Sequence, residues 1–297
     1  MPSNEDVRDP SLRPGPCTSL GAGVEVDDLP GDVGALVAIC QGLIVHEHLA
    51  LAYGVELDEA ARRTVHLRRV ADVLEEVLRL DPSPIGVPRP PERRVAGNCR
   101  QFTVLLVALL RATGTAARAR CGFSDYFGTG LGEDHWVAEV RDADAGRWRL
   151  VDAQVDQIQT DLMAIAIDPL DVPRDRFRVA GDVWRRCRSG RDDPDHYGLS
   201  ASGEAGLWWV AGNLIRDAAA LEGLEVLPWD SWGDLPGPGD EIDEALAARL
   251  DELAGCTVHP DGPSATRARR ALMATPGLAL GATVHNDLLD RDEPVPS

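Results

Sequence analysis

The sequence predicts an α+β fold in which a Cys-bearing helix, apolar on every side, packs on a small antiparallel sheet and is flanked by further helices. Three observations carry this. Phe102 to Leu110 has no polar face and is bounded by Gly97-Asn98 before and Gly114 after, so it reads as a helix that the rest of the domain must wrap. Three short strand-like pieces follow, Thr115–Phe123, His135–Arg141 and Trp148–Ala153, separated by Gly and Asp clusters. Before and after them the chain shows mainly helical patterning.

In chain order, residues 1–31 are rich in Pro, Gly and Asp and read as a loosely ordered arm. From Asp32 to Tyr53 the chain is apolar on nearly all sides, the pattern of a buried helix with Asp32 as its N-cap. A second helix is expected from Asp58 to Leu80, with Ala61, Val65, Val70, Val73, Leu74, Val77 and Leu78 on one face, forming an antiparallel pair with the first. Residues 81–91 hold five prolines and exclude helix or central strand. In the second half, helices are expected over residues 171–188, 203–221, 239–254 and 264–274.

Composition narrows the function. The 297 residues carry a net charge of −19, which disfavours nucleic acid and an anionic membrane as partners. All 30 basic residues are Arg, so a Schiff-base lysine and a P-loop lysine are both excluded. The stretch Val33–Val45 is too short to span a bilayer, and the first residues lack a basic segment followed by an apolar run. The expected location is cytoplasmic. Six scattered cysteines, with no C-x-x-C pair, signal neither a disulfide framework nor a thiolate metal site.

One cysteine stands apart. Cys99 opens the apolar helix directly after Asn98, a favourable N-cap, where unpaired N–H groups and the helix dipole favour a thiolate. The dipole contributes only about 1 kcal/mol, and an ordinary thiol is about 3% ionised at neutral pH, so activation needs a cationic partner such as His. His135 opens one strand, and Asp152 lies on the same face of the next as Trp148 and Leu150. His135 faces Asp152 if Arg141 pairs with Gly146, which implies a four-residue loop, 142–145. An imidazole between a thiol and a carboxylate can take the thiol proton while the carboxylate fixes its tautomer. Asp156 competes with Asp152, since alternation does not separate them.

The stretches GNCRQFTVLLVALLRATG, DHWVAEV and WRLVDAQVD resemble the transglutaminase-like superfamily of papain-like cysteine enzymes. The resemblance implies a catalytic triad of Cys99, His135 and Asp152 and favours Asp152 over Asp156. It also implies acyl transfer through a thioester, as transamidation or as amide or peptide hydrolysis. The catalytic core is then expected over 32–156, a companion region over 157–235 and an acidic, mainly helical segment over 236–297. The implied substrate is a peptide or small-molecule amide or thioester, with an amine or water as acceptor, and the chemistry requires no cofactor. The alternative is a non-catalytic binding or scaffold protein on the same fold.

Other residues carry weaker signals. Arg93, Arg94 and Trp136 are candidates for substrate binding, and Arg93, Arg94 and Arg100 would place positive charge near Cys99. Gln41, Asn98 and Gln101 are candidates for a second oxyanion donor beside the Cys99 N–H. His46 and His48, two apart on a presumed helix, point to different faces, so no metal is expected there. Trp208, Trp209, Trp229 and Trp232 are expected to pack rather than to stack on a ligand.

Overall fold

The computed structural model describes residues 10–21, 24 and 26–297 and divides into two compact units. The first comprises the chain to Ala119 together with Val137–Val172; the second comprises Arg120–Trp136 and Pro173–Ser297. The remainder of the predicted N-terminal arm lies outside the described residues.

In the first unit, Asp32 caps helix α1 (Val33–Leu43) by accepting a hydrogen bond from the Ala35 N–H at 2.9 Å. The helix is shorter than the sequence predicts. At the β-branched pair Ile44-Val45 the backbone turns extended and forms strand β1 (Ile44–His46), followed by a 3-10 turn at Ala50–Tyr53. The single helix expected over 58–80 is likewise broken, into α2 (Glu59–Arg63), a 3-10 turn at Thr64–His66 and α3 (Val70–Leu80). The carbonyls of Val65, Leu67 and Arg68 point away to accept side-chain donors from residues 100 and 101, which a continuous helix would forbid. Only α3 keeps the amphipathic pattern, burying Val70, Val73, Leu74 and Val77. The expected pairing of the two helices is replaced by packing of α1 and α3 on the central helix.

The Pro-rich stretch is stiffened by Arg89, whose guanidinium donates to the carbonyls of Asp81, Ser83, Pro84 and Val87, while its N–H is bonded to Gly42 O at 2.9 Å. Strand β2 (Val95–Gly97) then pairs in parallel with β1, His46 opposite Gly97. Next comes the central helix α4 (Cys99–Ala112), in which every residue from Arg100 to Arg111 is buried. Gly114, at φ +85°, takes the left-handed conformation that ends it. Arg111 donates to Thr18 Oγ1 at 2.8 Å, and Cys17 and Thr18 are buried beneath this unit.

Strands β3 (Ala117–Ser124) and β4 (Gly132–Asp142) run through both units, and in the first unit β5 (Arg147–Val151) lies antiparallel to β4. The register differs from the expected one. Arg141 faces Trp148 rather than Gly146, and the loop is 143–146, four residues long but one residue later. Gly146, at φ +66°, supplies the left-handed residue of this turn. The displacement between the strands is two residues, so alternation is unchanged and no side chain switches face. Helix α5 (Gln157–Met163) closes this part of the chain.

In the second unit the sheet order is β6 (Phe177–Val179), β3, β4, β7 (Tyr197–Leu199), β8 (Glu204–Ala205). Helix α6 (Ala180–Arg188) is shorter than expected because residues 177–179 pair with β3. It packs with α7 (Leu207–Leu221) and α8 (Glu244–Val258), and α9 (Pro263–Met273) lies on α8. A Cβ at Gly181 would come within 2.3 Å of Thr257 Oγ1, so the α6–α8 approach requires glycine there. A three-stranded sheet, β9 (Asp230–Ser231) with the hairpin β10 (Thr283–Asn286) and β11 (Arg291–Pro294), joins stretches outside the expected helices of this mainly helical half.

The core of this unit contains a buried ion pair. Arg120 meets Asp217 through two bonds of 2.9 Å and donates to Thr257 O at 2.7 Å, while Cys121 N–H donates to Asp217 Oδ1 at 3.0 Å. Removing one partner leaves the other charge buried and uncompensated. Asp217→Ala is therefore expected to cost about 3–5 kcal/mol of stability in urea denaturation, and a loss below 1 kcal/mol would contradict this reading.

Candidate active site

Cys99 is the first residue of α4, half-buried, and its position is fixed by a capping box. Asn98 Oδ1 accepts from Arg100 N–H at 3.0 Å, and Gln101 Oε1 accepts from Asn98 N–H at 3.1 Å. Gln101 Nε2 in turn donates to Val65 O at 2.5 Å. The thiol therefore stands at a helix end oriented by a hydrogen-bonded shell, where the helix dipole favours negative charge. Elsewhere burial pushes the thiols of Cys40 and Cys256 up and that of Cys187 up to about 12, which keeps them as unreactive thiols.

The three arginines expected to supply positive charge near Cys99 are committed to backbone carbonyls. Arg100 is buried and donates to Arg68 O at 2.7 Å. Arg93 donates to Leu80 O at 3.1 Å, and Arg94 to Arg89 O at 2.9 Å, with its guanidinium 6.0 Å from the centre of the Tyr53 ring.

Asp152, fully buried, follows β5 in the same unit. Its N–H donates to Pro169 O at 2.8 Å, and its Oδ1 accepts from Gln154 N–H at 2.9 Å. Asp156 has a different occupation. Its Oδ1 caps α5 by accepting from Gln159 N–H at 2.9 Å, and its Oδ2 accepts from Tyr53 OH at 2.8 Å.

His135 lies on β4 in the second unit, 2% exposed. Phe127, Tyr126 and Phe177 meet the imidazole edge-on at centroid distances of 4.9, 6.1 and 6.4 Å. Alternation turns Asp134 and Trp136 to the other face. Trp136 has no exposed surface, so its indole is part of the packing rather than a face offered to a ligand. Asp134 Oδ2 accepts from Trp209 Nε1 at 2.9 Å. The tryptophans pack as expected: Trp208 lies edge-on to Trp209 at 5.0 Å, and Trp232 Nε1 donates to Leu278 O.

His46 and His48 lie on a strand end and the turn after it, not on a helix, with rings 5.7 Å apart. Among the described residues no cluster of three His, Cys, Asp or Glu could hold a metal ion. The residue that sequence reasoning missed here is Glu47. Its N–H donates to Gly97 O at 2.9 Å, which sets its carboxyl beside the Asn98 carboxamide. Burial raises its pKa, opposed by His48, Asn98 and Arg62. Only the parallel β1–β2 pairing brings Glu47 here; the β-branched Ile44-Val45 was the available signal.

Residues 58–153, about a third of the chain, match the family model of the transglutaminase-like superfamily. Cys99, His135 and Asp152 all fall inside that segment, and the α+β architecture accords with the papain-like fold of that superfamily. The match supports a cysteine enzyme at the level of the superfamily. A crystal structure of a candidate cysteine protease from Cytophaga hutchinsonii is similar at 21% identity, covering 55% of this chain and 50% of that one, with a TM-score of 0.20. The chain thus spans half the length of that protein. No curated protein matches it. No helix among the described residues is long and apolar enough to cross a membrane.

The carboxyl of Asp134, next to His135, is pushed up by burial, against the Trp209 hydrogen bond and the nearby Arg216, Asn213 and His135. A carboxyl that holds its proton more tightly folded than unfolded stabilises the fold below its unfolded pKa of about 3.9, and that contribution is lost as pH rises through the folded pKa. Asp134→Asn keeps the acceptor for Trp209 and removes the titration. Its stability relative to the unsubstituted protein should rise in urea midpoints as the pH increases above about 4, the unfolded carboxyl pKa. A pH-independent difference would refute the assignment.

Proposed function

We propose that the protein is a cysteine acyltransferase or hydrolase that works through a thioester on Cys99, with His135 and Asp152 completing the triad. The observation that carries the reading is Cys99 itself, a half-buried thiol opening a buried, capped helix inside the transglutaminase-like segment. His135 takes the thiol proton, and the thiolate attacks the carbonyl of a peptide or small-molecule amide or thioester. The imidazolium then protonates the leaving group, and the thioester passes its acyl group to an amine or to water. Asp152 holds the imidazole tautomer and stabilises its cation. Asp156 is less suited, since both its carboxylate oxygens already serve the α5 cap and Tyr53.

Iodoacetamide labelling followed by peptide mapping tests this. Paired with His135, Cys99 should react about tenfold faster than free glutathione, an ordinary thiol that is a few per cent ionised at neutral pH. His135→Ala should abolish the preference. Uniform slow labelling would sink the enzyme reading and favour a binding module on the same fold.

The two aspartates separate by a further pair of variants. Asp152→Ala should lower Cys99 reactivity, whereas Asp156→Ala should leave it unchanged and cost about 1 kcal/mol of stability through the lost helix cap. The opposite pattern would move the carboxylate role to Asp156.

A further inference from the structure

We propose that the carboxamide nitrogen of Asn98 is the second oxyanion donor for Cys99, an assignment that rests on the nucleophile reading above. When Sγ bonds to the acyl carbon, the carbonyl π pair moves onto oxygen, and the resulting oxyanion needs two donors; its collapse re-forms the carbonyl and expels the leaving group. The backbone N–H of Cys99, at the first position of α4, is one.

Three side chains could supply the other, and two of them already donate to backbone carbonyls, whereas Asn98 donates to none. Gln41 Nε2 donates to Val155 O at 3.1 Å. Gln101 Nε2 donates to Val65 O at 2.5 Å, while its Oε1 holds the Asn98 N–H. Asn98 remains. Its carboxamide is oriented by the bond from Arg100 N–H to Oδ1, yet its Nδ2 is buried without a hydrogen bond, on a residue only 6% exposed.

A buried donor left without an acceptor destabilises the fold, and such a group is retained where an acceptor arrives with substrate. The Glu47 carboxyl, the polar group beside it, draws a weak interaction from the carboxamide that opposes the rise of the Glu47 pKa on burial. An amide nitrogen carries two hydrogens, so an interaction with Glu47 still leaves one for the oxyanion. Asn98 directly precedes Cys99, which places its side chain at the helix end where the Cys99 N–H also points.

The test compares two reactions of the same thiol. Acylation of Cys99 by p-nitrophenyl acetate passes through an oxyanion; alkylation by iodoacetamide does not. Asn98→Ser and Asn98→Gly both retain acceptable helix caps while removing the amide N–H donor without adding charge, so the fold should persist, with urea midpoints as the check. Each should slow acylation of Cys99 by about 100-fold or more while leaving alkylation within about twofold. Unchanged acylation, or equal loss of both reactions, would overturn the assignment. So would an unsubstituted protein whose Cys99 is preferentially alkylated but acylated no faster than Cys187 or Cys256. If Cys99 shows no preferential alkylation at all, the nucleophile reading fails and this assignment falls with it.

Discussion

The first unit depends on one constraint: α4 is buried from Arg100 to Arg111, so no solvent is available to its polar groups. Its N-terminal N–H groups need partners from within, and the Asn98–Gln101 box provides them. The polar side chains it carries inward must find acceptors in the surrounding wall. Arg100 and Gln101 take the carbonyls of Val65, Leu67 and Arg68, and this demand breaks the helix expected over 58–80. Arg111 takes Ala117 O and Thr18 Oγ1 at the other end, drawing residues of the N-terminal arm into the packing. The same requirement orients Cys99.

What the sequence makes legible follows from locality. Uniform apolarity marks α4, alternation marks β3, β4 and β5, and the cap at Asp32 is local, so all were read correctly within a few residues. The β1–β2 pair is three residues long and joins segments some fifty residues apart, with no periodicity to announce it. Its loss from the sequence reading concealed Glu47 beside Asn98. The hairpin of β10 and β11 escaped for a related reason: each strand is only four residues long, and β11 is charged and largely exposed. The β4–β5 register was displaced by two, an even shift that keeps Val137, Glu139 and His135 on one face of β4 and Leu150 with Asp152 on one face of the β5 path. A shift of one would have inverted that arrangement.

The exclusive use of arginine has structural consequences whatever its genomic origin. Arg89 spans four carbonyls, Arg100 two, and Arg120 a carboxylate and a carbonyl, all from buried positions. A planar fork with five donors can satisfy several acceptors at once; a lysine ammonium on a flexible stem does so less specifically. These guanidiniums are thus occupied in holding backbone. Near Cys99 the guanidiniums of Arg93, Arg94 and Arg100 keep their charge while their N–H groups hold backbone carbonyls.

In the segment after β5 such bonds give Asp152 and Asp156 different surroundings. Gln41 fixes Val155 O from α1, Tyr53 fixes Asp156, and Gln159 joins Tyr53 to Gln154, so the path from Asp152 to α5 is held at nearly every residue. Asp156 spends both oxygens on that network. Asp152 anchors it through its N–H to Pro169 and through Oδ1 to Gln154, which leaves the carboxylate rigid and wholly removed from water. Asp156 secures the frame, and Asp152 is the carboxylate that the frame immobilises.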